Sequence, residues 1–203
     1  MILRIFLWGA LATIPVLFIE YGLQELLAKI SVGLLAYNIV NYILIVGFTE
    51  EFFKYLVIRM KVMNSPNLDE PLDIMLYMTV AALGFATVEN ISCLLSIVGQ
   101  KTLTEALFIY FIRSVGAVFL HTLCSAVVGY FLAISVCKIK NKKMFFIAGM
   151  LIATFLHGIF DLSMVILPNP GSSLIPSIII VILAFFTFVG FERLRKMKGI
   201  CKI

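Results

Sequence analysis

The chain has 203 residues, of which 62% are hydrophobic and only 13% charged, and its mean hydropathy is +1.10. Those proportions exclude a soluble globular domain and describe an integral membrane protein. The formal net charge of +5 calls for no nucleic-acid partner, because the basic residues gather in short connections and in the tail, where they suit anionic lipid headgroups.

About 20 apolar residues cross a bilayer core as a helix, and the sequence offers about six such runs. The first, Ile2 to Ile19, follows a basic start at Arg4. Its Ala10-Leu11-Ala12 resembles a signal-peptide cleavage site, but the apolar run continues through Phe18, which predicts a retained span. The second, Ser31 to Ile58, carries Glu50, Glu51 and Lys54 inside it. The connection from Pro66 to Pro71, with Asp69, Glu70 and Asp73 nearby, reads as a solvated turn. The third run, Leu72 to Val98, contains Glu89, and the fourth, Leu107 to Cys137, contains Arg113 and His121. The fifth, Phe145 to Leu167, holds His157 and Asp161, and the sixth, Leu174 to Phe191, carries no charge before Glu192. The prediction is an all-α, polytopic transmembrane helical bundle, a single domain over 1–203 with its chemistry confined to 47–161. The four cysteines, Cys93, Cys124, Cys137 and Cys201, lack metal-finger spacing and read as reduced.

Basic residues in short loops stay on the cytoplasmic side. With six spans, Arg4, Arg59, Lys61, Lys138, Lys140, Lys142, Lys143, Arg193, Arg195, Lys196, Lys198 and Lys202 fall on one face, opposite Lys29, Lys101 and the Pro168 to Ser173 loop. Both termini are therefore predicted to be cytoplasmic, in a multi-pass protein of the bacterial plasma membrane.

A charged side chain at the bilayer centre costs about 2.5–3.5 kcal/mol on an insertion scale. Glu50, Glu51, Lys54, Glu89 and Asp161, together with the chain's two histidines, His121 and His157, must therefore face one another or line a wet cavity. Glu50 and Lys54 are four apart and meet on one helix face, in the favourable acid-first order. Glu51 points about 100° away and is predicted to share that contact only in part. His157 and Asp161 are also four apart, and Gly158 between them lets another backbone approach. His121, Ser125 and Gly129 form a small-residue stripe that lets a neighbouring helix close in. Arg113 reads as a snorkelling residue of the outer half, and Glu89 with Asn90 as a candidate for interhelical hydrogen bonding.

Carboxylates and two histidines in a lipid-shielded cavity are the parts needed to activate water, and peptide hydrolysis within the membrane fits them. A zinc version uses His121, His157 and either Asp161 or Glu89 as ligands, with Glu50 as the base. No HExxH pattern is present, so a metal-free version, with Glu50 polarising water and His157 and Asp161 steadying the tetrahedral intermediate, stays open.

The ordered set Glu50-Glu51-Phe-Phe-Lys54, then Gly84-Phe85-Ala-Thr-Val-Glu89-Asn90, then His121 leading to Gly129, then His157-Gly-Ile-Phe-Asp161 resembles the PrsW family of intramembrane proteases, relatives of the CAAX prenyl endopeptidases and bacteriocin-processing enzymes. The resemblance covers 47–161. Glu89 stands where the CAAX branch carries a histidine, and Lys54 replaces that branch's more distant arginine, which favours PrsW. The resemblance implies a protease, with zinc as a possible cofactor, making the first cut in a membrane-anchored anti-sigma factor, a single-span substrate, to release an extracytoplasmic-function sigma factor in the envelope-stress response. It also implies Glu50, Glu51, Glu89, His121, His157 and Asp161 as site residues, supported by Lys54, Phe85 and Asn90. The same parts would serve a proton- or cation-coupled transporter, or persist in a non-catalytic scaffold or immunity protein. The inverted repeat common in transporters is not evident here.

Overall fold

Within hydrocarbon every main-chain polar group must be bonded inside its own segment, and the chain meets that demand with helices. The computed structural model describes residues 1–98, 100–137, 141–166 and 174–197. In chain order they form α1 (Ile2–Ala28), α2 (Leu34–Ile39), a π-helical segment (Val40–Gly47), α3 (Phe48–Lys61), α4 (Pro71–Ile97), α5 (Leu103–Cys137), α6 (Lys142–Ile166) and α7 (Leu174–Lys196). Five of these, α1, α4, α5, α6 and α7, are long and apolar enough to cross a membrane. The remaining crossing is composite, made of α2, the π segment and α3. The result is a multi-pass helical bundle.

Two boundaries differ from the expected ones in ways that bear on the site. The first helix does not stop at Ile19 but continues to Ala28, so Glu20 lies inside it. The second crossing is not a continuous α-helix, because Val40–Gly47 winds as a π-helix just before the Glu-Glu pair. π-Helical turns are rare and gather at functional sites. Here the segment packs against α6, where a β-carbon on Gly158 would stand 2.5 Å from the Ile43 Cα. Among the cysteines, Cys93 and Cys124 are free thiols, whereas Cys137 is disulfide-bonded, against the expectation of reduced cysteines. Cys201, the 168–173 loop, Lys138, Lys140, Lys198 and Lys202 lie outside the described residues.

The centre of the bundle is α5, with 67% of its most apolar window buried, against 22–39% for the other four spanning helices. It packs most extensively against α4, and α4 in turn against α1. The α1–α4 contact is backbone to backbone: a β-carbon on Gly84 would run into the Phe6 carbonyl oxygen, and one on Gly9 into that of Ala81. Close approach at small residues gives membrane helices the van der Waals packing that burial from water cannot supply. Gly84→Leu is therefore expected to push α1 away and to lower stability in detergent by about 1–3 kcal/mol, read by thermal or chemical denaturation.

Outward-facing Leu7, Leu11, Phe18, Phe119, Phe155 and Phe185 are all exposed, as lipid contact requires. Where α3 leaves the bilayer, the Lys61 ammonium sits 3.8 Å over the centre of the Trp8 ring. The turn before α4 is tied locally: the amides of Asp69 and Glu70 donate to Asp73 Oδ2, at 3.1 and 2.9 Å. The segment expected as a solvated turn thus also caps α4.

Candidate active site

Lys54 organises the site. Its ammonium is fully buried and donates to Glu50 Oε2 at 3.1 Å, Glu51 Oε1 at 2.9 Å and His121 Nδ1 at 2.9 Å. The Phe85 ring lies beneath it, 4.4 Å from ammonium to ring centre. The expectation that Glu51 shares the lysine only in part is corrected: i,i+3 spacing also brings side chains together on a helix, and the flexible lysine stem places Nζ between the two acids.

The acids then part company. Glu51 is wholly buried and occupied on both oxygens, with Ser125 Oγ donating to Oε2 at 2.7 Å and His157 Nδ1 standing 3.1 Å from Oε1. Ser125 thus does more than make room for a neighbouring helix. Glu50 lies at the wall of a cavity of about 660 Å³ that is also lined by Tyr42, Glu89, Arg113, His121 and Asp161. Of the adjacent pair, Glu50 alone lines it.

Two imidazoles meet Glu50 from different helices. His121 Nδ1 is 3.3 Å and His157 Nε2 3.7 Å from Glu50 Oε2, and the ring centres are 5.0 Å apart. Each imidazole has a carboxylate at its back. Glu51 holds Nδ1 of His157, and Glu89 Oε2, which makes no directed hydrogen bond, stands 2.6 Å from Nε2 of His121. Asp161 Oδ2 lies 3.4 Å from His157 Nε2 without a hydrogen bond between them, close enough for both to meet one water.

The donor set fits a divalent cation. Nε2 of His157 is buried and has no hydrogen-bond partner, and ligand atoms of Glu50, His121 and His157 all lie within 4.8 Å of one another. Bond lengths of about 2.0–2.1 Å put tetrahedral ligands roughly 3.4 Å apart, near the 3.3 and 3.7 Å separations from Glu50 Oε2. Carboxylates behind metal-ligating histidines are the usual outer support. The converging set includes Glu50, while Glu89 stands behind His121 and Asp161 beside His157.

All six residues expected in the site come together, with Lys54, Phe85 and Asn90 around them. Two further neighbours of the site did not stand out in the sequence, and a third was read differently. Glu20 was left outside the first span; its buried Oε1 has no hydrogen-bond partner, and the residue lies within electrostatic reach of Glu50, Glu89, Lys54 and His157. A longer first span would have flagged it. Tyr42 lines the cavity from the π segment, and nothing in its local pattern marks it. Arg113 does not simply snorkel, for it donates to Asn90 Oδ1 at 3.1 Å and Glu89 Oε1 at 3.0 Å.

Comparison with known proteins agrees with the ordered motifs. The curated relatives include the protein named Protease PrsW of Geobacillus kaustophilus, 31% identical over 79% of this chain and 65% of its own length. The protein of that name from Bacillus subtilis is 28% identical over 98% of this chain and 81% of its own length. That of Clostridioides difficile is 28% identical over 81% of this chain and 67% of its own length. The chain thus spans about two-thirds of the length of the Geobacillus relative. No solved structure gives a significant match. The profile of the PrsW family intramembrane metalloproteases matches residues 1–191, nearly the whole of the sequence, and the chain belongs to that family.

Proposed function

We propose that this protein is an intramembrane endopeptidase that hydrolyses a peptide bond of a single-span membrane protein. The observation that carries the reading is the meeting of Glu50 with His121 and His157 at the wall of a cavity, at a depth where buried charge is costly unless it is used. Glu50 Oε2 accepts a proton from water, and the hydroxide formed attacks the scissile carbonyl. The same carboxyl then returns the proton to the leaving amine, so the acid ends as it began. His157 donates from Nε2 to the developing oxyanion, with Asp161 Oδ2 3.4 Å away from that atom. Glu51 sets the His157 ring, and Glu89 the His121 ring. In a metal-bound alternative, Glu50, His121 and His157 would hold the ion, zinc by their donor types; Glu50 Oε2 and His157 Nε2 would then serve as ligands in place of carrying protons, and the ion would polarise the carbonyl and lower the pKa of its water.

The cavity also supports a side of entry. Arg4, Arg59, Lys61, Lys142, Lys143, Arg193, Arg195 and Lys196 cluster at one end of the helices, which the positive-inside rule makes cytoplasmic. Tyr42, Phe108, Arg113, Met164 and Val165, which line the cavity, lie on the halves of their segments nearer the other end. Substrate then approaches from the extracytoplasmic half of the bilayer. From the family resemblance, the proposed substrate is an anti-sigma factor of the bacterial plasma membrane, whose first cleavage releases an extracytoplasmic-function sigma factor under envelope stress.

Co-expression with a tagged single-span anti-sigma factor tests the reading. Cleavage is expected with the wild type and with Thr87→Ala, an exposed side chain bonded only within its own helix. It is expected to be lost in His157→Ala. Ion flux through proteoliposomes without cleavage would replace the protease by a transporter.

A further inference from the structure

We propose that the cytoplasmic end of the bundle carries a lipid site, in which a crevice between α5, α6 and α7 seats an acyl chain of an anionic phospholipid while Arg193 binds its phosphate. A cavity of about 310 Å³ lies there, sharing no residue with the cavity at Glu50. Helix α5 gives it Tyr130 and Ile134, both buried, α6 gives Phe145, and α7 gives Phe186, Val189 and Arg193. Tyr130 and Ile134 fall in the last two turns of α5, Phe145 in the first turn of α6 and Arg193 in the last turn of α7. That is the end where the basic residues gather, so the crevice sits at the cytoplasmic headgroup level.

The wall calls for an apolar occupant. Apart from the Tyr130 hydroxyl and the guanidinium, its side chains are hydrocarbon and aromatic ring. Phe186 stands edge-on to Tyr130, with centres 5.6 Å apart, and stacks on Phe131 at 5.9 Å. A β-carbon on Gly190 would come 3.0 Å from the Tyr130 ring, so α5 and α7 already touch beside the crevice. Val189 lines it and is 48% exposed, which opens it sideways to the bilayer. A void forfeits the dispersion contacts of its walls, and a site this poor in polar partners holds water badly. The volume is at the lower end of the roughly 300–1,000 Å³ of ligand cavities. It takes part of one lipid chain, whereas a helix about 10 Å across does not fit.

Arg193 selects the headgroup. Glu192, the acid beside it, is taken by Arg195, whose Nη2 donates to Oε2 at 2.7 Å. Among the described residues Arg193 has no ion-pair partner. An unpaired guanidinium at the mouth of an apolar crevice offers a planar fork that matches two phosphate oxygens. Lys142 and Lys143, exposed at the start of α6 near Phe145, add charge of the same sign. A zwitterionic lipid would bring its own cation against these groups, and a net-negative one does not.

Native mass spectrometry of the purified full chain, stripped of lipid and then given phosphatidylglycerol or phosphatidylcholine, tests the site. One phosphatidylglycerol is expected to stay on the wild type under conditions that remove phosphatidylcholine, and to raise its Tm in detergent. Arg193→Gln is expected to weaken that binding about tenfold or more, as loss of one charge-assisted contact would. Val189→Phe fills the crevice instead of emptying it, and is expected to exclude the lipid while the lipid-free Tm holds. Arg59→Gln removes an exposed charge from the same membrane face but on α3, and is expected to bind as the wild type does. Inorganic phosphate, which has no chain, is expected to leave Tm unchanged. Equal binding by wild type and Arg193→Gln, an equal loss in Arg59→Gln, or protection by phosphate alone would overturn the proposal. So would a dimer that Val189→Phe dissociates, since the crevice would then belong to a second copy. None of these readouts depends on peptide cleavage, so the site stands or falls apart from the protease reading.

Discussion

Glu50→Gln is expected to lower peptide cleavage by about 10²–10⁴-fold while the protein still inserts, folds and binds its substrate. The substitution keeps the size and the oxygen of the side chain but takes away its ability to accept a proton from water. Because Glu50 lines the cavity and Glu51 does not, the neighbouring change has a different outcome. Glu51→Gln alters a group that accepts from Ser125 and Lys54 and holds Nδ1 of His157. It should reduce stability as well as activity, since a buried network loses more when one member is wrong than when it was never built. Measuring cleavage and the denaturation midpoint for both variants separates the chemical acid from the structural one. If Glu50→Gln cleaves at the wild-type rate, the proton acceptor must be sought elsewhere.

The second large effect is expected at Lys54. Its ammonium and Glu51 are both fully buried, and Glu50 is 5% exposed. Lys54→Met fills much the same space with an apolar chain and leaves two carboxylates with no cation between them. Breaking a buried pair from one side costs about 3–5 kcal/mol, because the remaining charge stays desolvated and uncompensated. The expected result is a strongly lowered midpoint in detergent, or failure to accumulate in the membrane. Pairing the change with Glu51→Gln removes one stranded charge and is expected to recover part of the loss, a non-additive result that a double-mutant cycle reads directly. Simple additivity of the two substitutions would show that the three groups are not coupled as their distances imply.

These two predictions also show what kind of fold the site needs. Lys54 cannot be solvated in place, and Phe85 beneath it and His121 beside it come from α4 and α5. The helices must therefore close tightly before the charge can be buried at all. Small residues allow that closure: Gly9 and Gly84 between α1 and α4, and Gly129, where a β-carbon would stand 2.7 Å from the Met75 Cα. Packing and chemistry depend on the same close approaches.

By itself the sequence determined that this is a helical membrane protein, roughly where its apolar stretches lie, and that its few ionisable groups must gather. Each conclusion rests on a local rule: apolar length against bilayer thickness, and the cost of charge in hydrocarbon, which forces the few ionisable groups together. Glu50 and Lys54, or His157 and Asp161, are paired by spacing along one helix, so their partnership is legible without a fold. Only the tertiary structure decided what lies between helices. Spacing could not tell that Glu51 turns to Ser125 and His157 while Glu50 faces the cavity, nor that Glu89 stands behind His121. It hid the π-helical turns of Val40–Gly47, whose apolar residues look the same in either winding. Arg113 was misplaced for the same reason: a lone arginine near a helix end has the pattern of a snorkelling residue, and its partners, Glu89 and Asn90, lie on another helix. Periodicity reports which way a side chain points from its own axis; what it meets there is set by how the axes pack.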